Sequence, residues 1–139
     1  MNTPDFADGG CLCGAVRYRI QGAPRSSGVC HCRSCRLASG APAVGWIAVG
    51  LDRYQLLQGH PATRHSSPHV VRSFCPRCGT PFGYRNDDAP ELIELTTATL
   101  DHPEQFPPTR EIWLEHRIAW EAVNPALAHH PHDSGDAAI

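Results

Sequence analysis

The chain has 139 residues, enough for a single domain with a modest hydrophobic core, and carries a formal net charge of −2 with a sequence pI near 6.5. This charge balance gives no general basic face, which argues against a nucleic-acid-binding protein. The longest nearly unbroken apolar stretch, Val44 to Leu51, is far too short to span a bilayer, and the N-terminus has no apolar segment typical of secretory signals. We therefore expect a cytoplasmic protein that is not associated with a membrane.

Thirteen prolines and twelve glycines divide the chain into short pieces, most of which have the residue pattern of β-strands. In the first piece, Val16, Tyr18 and Ile20 alternate with polar residues, as in a half-buried strand. Further strand candidates follow at residues 45–49, 54–57, 70–74 and 92–100. Residues 111–120 are the last candidate, and for them a helix remains possible. These patterns predict a mainly β domain of about seven or more short strands.

We divide the sequence into an N-terminal extension at residues 1–8, a folded domain at residues 9–123 and a disordered tail at residues 124–139. The tail is polar and aperiodic, which is typical of a segment without a face that packs. It contains three histidines that can bind a transition metal weakly, although a solvated segment without a ligand role is the favoured interpretation.

Seven cysteines are the most informative feature of the composition. Their odd number and the expected reducing compartment argue against a disulfide framework. Their C-x-C and C-x-x-C spacings instead favour thiolate ligands of a metal, with redox pairs or unrelated core thiols as the remaining interpretations. The cysteines fall into three groups: Cys11 and Cys13; Cys30, Cys32 and Cys35; Cys75 and Cys78.

The first and third groups together supply four sulfurs, the number that a structural zinc site needs. On an extended strand, Cys11 and Cys13 would point to the same side. Cys75 and Cys78 would meet one ion through a tight turn, from which Gly79 lets the backbone leave. Such a site would join two distant parts of the chain and contribute directly to folding.

The middle group, Cys30, Cys32 and Cys35, has three sulfurs rather than four. Cys30 and Cys32 can share a strand face, and Cys35 can return to it through a tight turn. Three ligands leave the fourth position of a tetrahedral zinc ion open, as in catalytic zinc sites. A distant histidine could instead fill that position and make a second structural site. The cysteine spacing does not decide between these two interpretations. Three thiolates on Zn²⁺ give a net charge of −1, which suits a substrate thiolate better than the formation of hydroxide. His31 should face away from the ion. It would then either contact the metal ligands or the substrate, or be an ordinary, partly exposed histidine.

The motifs GGCLCGAVRY, CHCRSCRLASG, RSFCPRCGTPF, ATLDHP and HRIAW, spread over residues 9 to 123, resemble the glutathione-dependent formaldehyde-activating enzyme family, also called the CENP-V/GFA domain family. Ala98 stands where a glycine is common in that family. The resemblance implies a mainly β, Mss4-like β-tent fold with two zinc ions per chain. It implies a structural zinc on Cys11, Cys13, Cys75 and Cys78, and a catalytic zinc on Cys30, Cys32 and Cys35.

In the reaction that gives the family its name, glutathione and formaldehyde condense to S-hydroxymethylglutathione, the reverse of a carbon–sulfur lyase reaction. We therefore predict a lyase-type enzyme that joins or splits a glutathione-like thiol and a formaldehyde-like aldehyde. Because the chain lacks lysine, the thiol's carboxylates would need arginine or histidine, and the arginines near the cysteines are Arg33, Arg36, Arg72 and Arg77. For each of these, a solvated surface arginine is the commoner role.

Two alternatives to the enzyme are a non-catalytic, zinc-stabilised β-domain that binds a partner, and a redox sensor with a metal-free trio. The sequence leaves the oligomeric state open.

Overall fold

The structure, a computed structural model, describes residues 4–135. Within this range there are eleven strands: β1 Phe6–Gly10, β2 Arg17–Gln21, β3 Ser26–Cys30, β4 Val44–Gly50, β5 Tyr54–Gln58, β6 Ala62–Ser67, β7 Val70–Phe74, β8 Pro81–Asn86, β9 Leu92–Thr96, β10 Arg110–Ile112 and β11 Ala128–His129. One α-helix, α1, spans Arg33–Ser39, and short 3₁₀ helices span Leu51–Arg53, Thr97–Thr99, Pro103–Gln105 and Leu114–His116. No helix in this part of the chain has the length and apolar character needed to cross a membrane.

The strands form two sheets. A three-stranded sheet has the order β1-β2-β5, and an eight-stranded sheet has the order β11-β10-β3-β4-β9-β8-β7-β6. Neighbouring strands are antiparallel except that β10 runs parallel to both β3 and β11. The prediction of a mainly β fold is confirmed.

The main hydrophobic core contains side chains from both sheets. Tyr18 and Ile20 of β2 contribute from the three-stranded sheet, and Ile47 and Leu95 contribute from the eight-stranded sheet. The rings of Tyr18 and Phe82 stack with their centroids 5.8 Å apart. One face of the large sheet is therefore packed in this core, and its opposite face lies outside it.

Two rows of cross-strand neighbours lie on that opposite face, because paired residues and residues two apart on a strand point to the same side. The first row runs through Arg110, Gly28, Trp46 and Thr96. The second runs through Ala48, Glu94, Tyr84, Arg72 and Arg64. A smaller cluster on this face contains the buried side chains of Cys30, Cys35 and Val44. The opposite face of the sheet therefore combines charged, aromatic and thiol groups.

Several boundaries differ from the sequence-based prediction. β1 begins at Phe6, inside the predicted extension, and Asp8 on this strand accepts a hydrogen bond of 2.7 Å from Arg19 Nε. Strands β3, β6 and β8 were not predicted, since serine, glycine and charged residues obscure their alternation. Residues 111–120 are neither one strand nor one helix: β10 ends at Ile112, and Trp113 adopts a left-handed conformation with φ of 58°.

The prediction of disorder from Asn124 is wrong for residues 124–135. β11 pairs with β10, and the backbone N–H groups of Trp113 and Leu114 donate to the carbonyls of His132 and His130. The backbone N–H of Asn124 donates to Oε2 of Glu111 at 2.6 Å, and Glu111 is only 3% exposed. This segment is held by backbone hydrogen bonds and by one buried carboxylate. Because neither contact needs apolar side chains, the apolar pattern of the sequence does not indicate that the segment is ordered. Residues 136–139 lie outside the described range.

We expect a chain ending at Val123 to melt roughly 5–10 °C below the full-length protein, because it leaves the buried Glu111 carboxylate without a hydrogen-bond donor from residues 124–135. Thermal unfolding followed by circular dichroism measures this shift. Ala126→Ser, at an exposed position of the same segment, is the control and should melt like the wild type. An unchanged melting temperature in the shortened chain would show that the segment adds no stability.

Candidate metal centres

Four cysteine sulfurs from two distant segments meet beside the three-stranded sheet. The sulfurs of Cys11, Cys13, Cys75 and Cys78 all lie within 4.8 Å of one another. The Cys11 and Cys13 sulfurs are 3.6 Å apart, and the Cys13 and Cys75 sulfurs are 3.8 Å apart. Four sulfurs at about 2.3 Å from a tetrahedral zinc ion would be about 3.8 Å from each other, so this cluster has the dimensions of a zinc site.

The local geometry of this cluster differs from the prediction. Cys11 and Cys13 lie in a turn after β1, not on an extended strand, and the turn is closed by the bond from Cys11 N–H to the Val16 carbonyl. The second pair does use a tight turn: the N–H of Gly79 donates to the Cys75 carbonyl at 2.8 Å, with Gly79 at a φ of 83°. That positive φ favours glycine, as the sequence indicated.

Thr80 connects the two segments of the four-cysteine cluster. Its hydroxyl accepts a hydrogen bond from the Leu12 N–H and lies 3.2 Å from the Cys78 sulfur. The Thr80 hydroxyl is the largest of the contributions that lower the pKa of Cys78 to about 5. A thiol that ionises readily is a better metal ligand, because the metal binds the thiolate.

The other three cysteines meet where β3 gives way to α1. The sulfurs of Cys30, Cys32 and Cys35 lie within 4.8 Å of one another, and within residues 4–135 no histidine or carboxylate joins the group. Cys30 ends β3, whereas Cys32 caps α1 and accepts a hydrogen bond of 3.3 Å from the Cys35 N–H. The predicted shared strand face for Cys30 and Cys32 is therefore wrong, and the start of a helix brings the sulfurs together instead.

The three sulfurs of this trio shift one another's pKa values. A hydrogen bond with the Cys30 thiol, another with Cys35 and the charge of Arg72 hold the pKa of Cys32 well below its ordinary value. The hydrogen bonds to Cys32 and Cys35 raise the pKa of Cys30. The arrangement therefore favours a thiolate at Cys32, the species that a metal requires.

His31 separates two cysteines of the trio in sequence, but its ring points to the opposite side of β3. It is 0% exposed, so a partly exposed histidine is the wrong interpretation. Its Nε2 lies 2.7 Å from Oε1 of Glu111, the same carboxylate that accepts a bond from Asn124 N–H. Glu111 thus connects the loop that carries the trio to the C-terminal segment.

Arg72 is the arginine that the fold brings to the trio. It is 8% exposed, its Nη2 lies 3.8 Å from the Cys35 sulfur, and its Nε donates to the Ser66 hydroxyl at 2.9 Å. Its guanidinium group also lies 5.0 Å from the centroid of the Tyr84 ring. A cation held so close to the trio stabilises negative charge on its sulfurs. Of the other sequence candidates, Arg33 and Arg77 are exposed, and Arg36 is half-buried.

Three cavities adjoin the trio. Cys32 and Arg72 line one of about 280 Å³, and Cys35 and Trp46 both line the two larger ones. The first of these two, here called the Arg110 cavity, has a volume of about 360 Å³ and is lined by all three cysteines together with Tyr84, Glu94 and Arg110. The second, here called the Leu37 cavity, has a volume of about 380 Å³ and is lined by Leu37, Ala38, Val44, Phe74 and Pro81. Both volumes fall in the range of about 300–1,000 Å³ that is typical of small-molecule sites.

Arg110 and Glu94 were not recognised as site residues from the sequence. Arg110 lies across Gly28, where a Cβ would be 3.1 Å from its Cγ, and its Nε is buried without a hydrogen-bond partner among the described residues. Burial raises the pKa of Glu94, an effect that the charges of Arg110 and Arg72 oppose. Only the strand register places these residues near Cys30, so no local sequence signal could have identified them.

Comparison with known proteins decides the family. The model of the glutathione-dependent formaldehyde-activating enzyme (GFA) family matches residues 6–116, which contain all seven cysteines. The chain belongs to the GFA family. A Halomonas elongata protein that is named, provisionally, as a glutathione-dependent formaldehyde-activating enzyme is 29% identical over 129 residues, covering 84% of this chain and 80% of that protein.

A solved structure shares the fold. A crystal structure of a Rhodobacter sphaeroides protein superposes with a TM-score of 0.58 at 22% identity, covering 68% of this chain and 87% of the other. At this identity the similarity concerns the fold alone. The family match ends at His116, so the C-terminal segment that contacts Glu111 lies beyond it.

In this GFA-family chain, we expect Cys75→Ser and Cys32→Ser to behave differently. Cys75 is 0% exposed within a complete set of four sulfurs, so Cys75→Ser should lose metal and fail to unfold cooperatively. Cys32→Ser should lose about half of the bound metal and keep most of the fold. Metal analysis and thermal unfolding measure both effects.

Ser34→Ala, an exposed position between Cys32 and Cys35, is the matched control and should keep the wild-type metal content. If Cys32→Ser unfolds as severely as Cys75→Ser, then both clusters are structural.

Proposed function

We propose that the protein is a zinc-dependent carbon–sulfur lyase-type enzyme that joins or splits a glutathione-like thiol and a small aldehyde such as formaldehyde. The four-cysteine cluster would hold a structural zinc and the trio a catalytic zinc, two per chain. A reducing compartment such as the cytoplasm would keep the seven thiols available as ligands. The observation that carries this proposal is that the incomplete cluster, the trio, is the one whose cysteines all line a single cavity.

The contrast between the two clusters supports different roles. The four-cysteine set supplies four sulfurs, which is the number of ligands in a structural zinc site. The trio supplies one ligand fewer within residues 4–135 and borders both cavities. An available ligand position next to a cavity is typical of catalytic sites.

The reaction requires the thiol sulfur to attack the carbonyl carbon as a thiolate. The carbon–sulfur bond forms, the carbonyl π electrons move to the oxygen, and the proton that the thiol loses is returned to that oxygen. A zinc ion on the trio would lower the pKa of a bound thiol or polarise the carbonyl. In the reverse direction the hydroxyl proton leaves and the carbon–sulfur bond breaks.

The residues of the Arg110 cavity suit a thiol that carries carboxylates. Arg110 presents a buried Nε without a partner in the described part of the chain, and a guanidinium group can bind a carboxylate through two hydrogen bonds. Arg72 holds its positive charge beside Cys35 and would stabilise a negatively charged sulfur or oxygen there. Glu94 lines the same cavity, burial raises its pKa, and it would hold the proton that moves between sulfur and oxygen.

We expect the zinc-loaded protein to accelerate exchange between glutathione plus formaldehyde and their adduct, relative to the uncatalysed reaction. Exchange spectroscopy by NMR measures this rate at equilibrium. Cys32→Ser should abolish the acceleration, whereas Ser34→Ala should retain it. If the zinc-loaded wild type accelerates no thiol–aldehyde pair, the chain is better described as a non-catalytic binding domain.

A further inference from the structure

The Leu37 cavity is far larger than formaldehyde, a molecule with two heavy atoms, requires. We propose that this cavity takes the apolar substituent of a larger aldehyde, so that the preferred electrophile of the trio is an aliphatic or aromatic aldehyde. This inference rests on the proposed function, because it assigns the second substrate of the same site.

The walls of the Leu37 cavity favour an apolar group. Leu37 and Ala38 project from α1, Val44 from β4, and Phe74 and Pro81 from β7 and β8. Leu37 is 63% exposed although it is a large apolar side chain, so the protein core does not account for its position. An apolar ligand that covers these side chains would remove apolar surface from water on both molecules.

Most of the polar side chains of this cavity already have partners. The Ser39 hydroxyl donates to the Cys35 carbonyl at 2.7 Å, and the Thr96 hydroxyl contacts the Pro81 carbonyl and the Thr99 hydroxyl. Arg72 is held by Ser66 and faces the Cys35 sulfur. The other polar side chains in the lining are Arg64, which is exposed on the edge strand β6, and the half-buried Ser73. A polar ligand would therefore exchange its hydrogen bonds to water for few new ones, which is unfavourable.

The position of the cavity also suits a second substrate. Cys35 and Trp46 line both cavities, so each cavity adjoins the trio. The Arg110 cavity contains Arg110 and Glu94, the groups suited to a charged thiol. The two substrates would then approach the trio from two cavities that share Cys35 and Trp46 in their linings. The thiol sulfur would bond to the aldehyde carbon, the π electrons would pass to its oxygen, and the thiol proton would end on that oxygen, which balances the addition.

The test is a series of aldehydes with glutathione as the thiol: formaldehyde, propanal, butanal, hexanal and benzaldehyde, with succinic semialdehyde as the charged counterpart of butanal. For each one, kcat/KM for adduct formation is divided by its uncatalysed rate constant, which removes differences in intrinsic reactivity. We expect this ratio to rise by about fourfold for each methylene that the cavity buries, up to the chain length that fills it. This measurement needs only the wild-type protein.

A pair of matched variants locates the effect. Ala38→Phe narrows the Leu37 cavity and should reduce the hexanal-to-formaldehyde ratio at least tenfold, whereas Ala126→Phe, at an exposed position outside both cavities, should leave that ratio unchanged. A ratio that does not rise with chain length, or a higher ratio for succinic semialdehyde than for butanal, would overturn the inference while leaving the proposed function intact. Failure to accelerate any aldehyde would overturn both.

Discussion

The convergence of cysteine sulfurs from segments 62 residues apart is the constraint on which the rest of the structure depends. Cys11 and Cys13 follow the first strand of the small sheet, and Cys75 and Cys78 follow strand β7 of the large sheet. A metal held by these four sulfurs would therefore fasten the two sheets to each other at one end of the shared core. A small domain gains much of its stability from such a bond, because its core alone contributes little beyond the entropic cost of folding.

The two faces of the large sheet have different surroundings: one packs in the hydrophobic core, and the other carries the groups of the candidate site. Its inner face packs with the small sheet through Ile47, Leu95 and their neighbours. The opposite face carries Trp46, Glu94 and Arg72 in adjacent cross-strand rows beside the trio. Charged groups can be held close to the trio there, because the other face of the same strands is packed in the hydrophobic core. His31 and Glu111 add a second support, since their buried hydrogen bond ties the loop of the trio to strand β10.

The sequence allowed the two groups of cysteines to be predicted, but not the backbone that presents them. Cysteine spacing divides seven sulfurs into four and three, because tetrahedral zinc sites limit the possible combinations. The same spacing is compatible with a strand, a turn or the start of a helix, and the structure uses a turn at Cys11–Cys13 and a helix start at Cys32. The placement of Arg110 beside Cys30 depends on parallel pairing between β3 and β10, which joins residues about 80 positions apart and leaves no local pattern. The C-terminal segment was missed for a related reason: its contacts are backbone hydrogen bonds and the Glu111 carboxylate, neither of which depends on apolar side chains.

The central claim is that the trio keeps one metal position available to a thiol while the four-cysteine cluster does not. Cobalt substitution tests it directly, because the visible bands of Co²⁺ depend on its coordination number and sulfur ligands. Our account predicts that added glutathione or 2-mercaptoethanol changes the bands of one of two bound Co²⁺ ions, and that Cys35→Ser abolishes this change. A wild-type spectrum that shows two closed tetrahedral sites and does not respond to either thiol would contradict it.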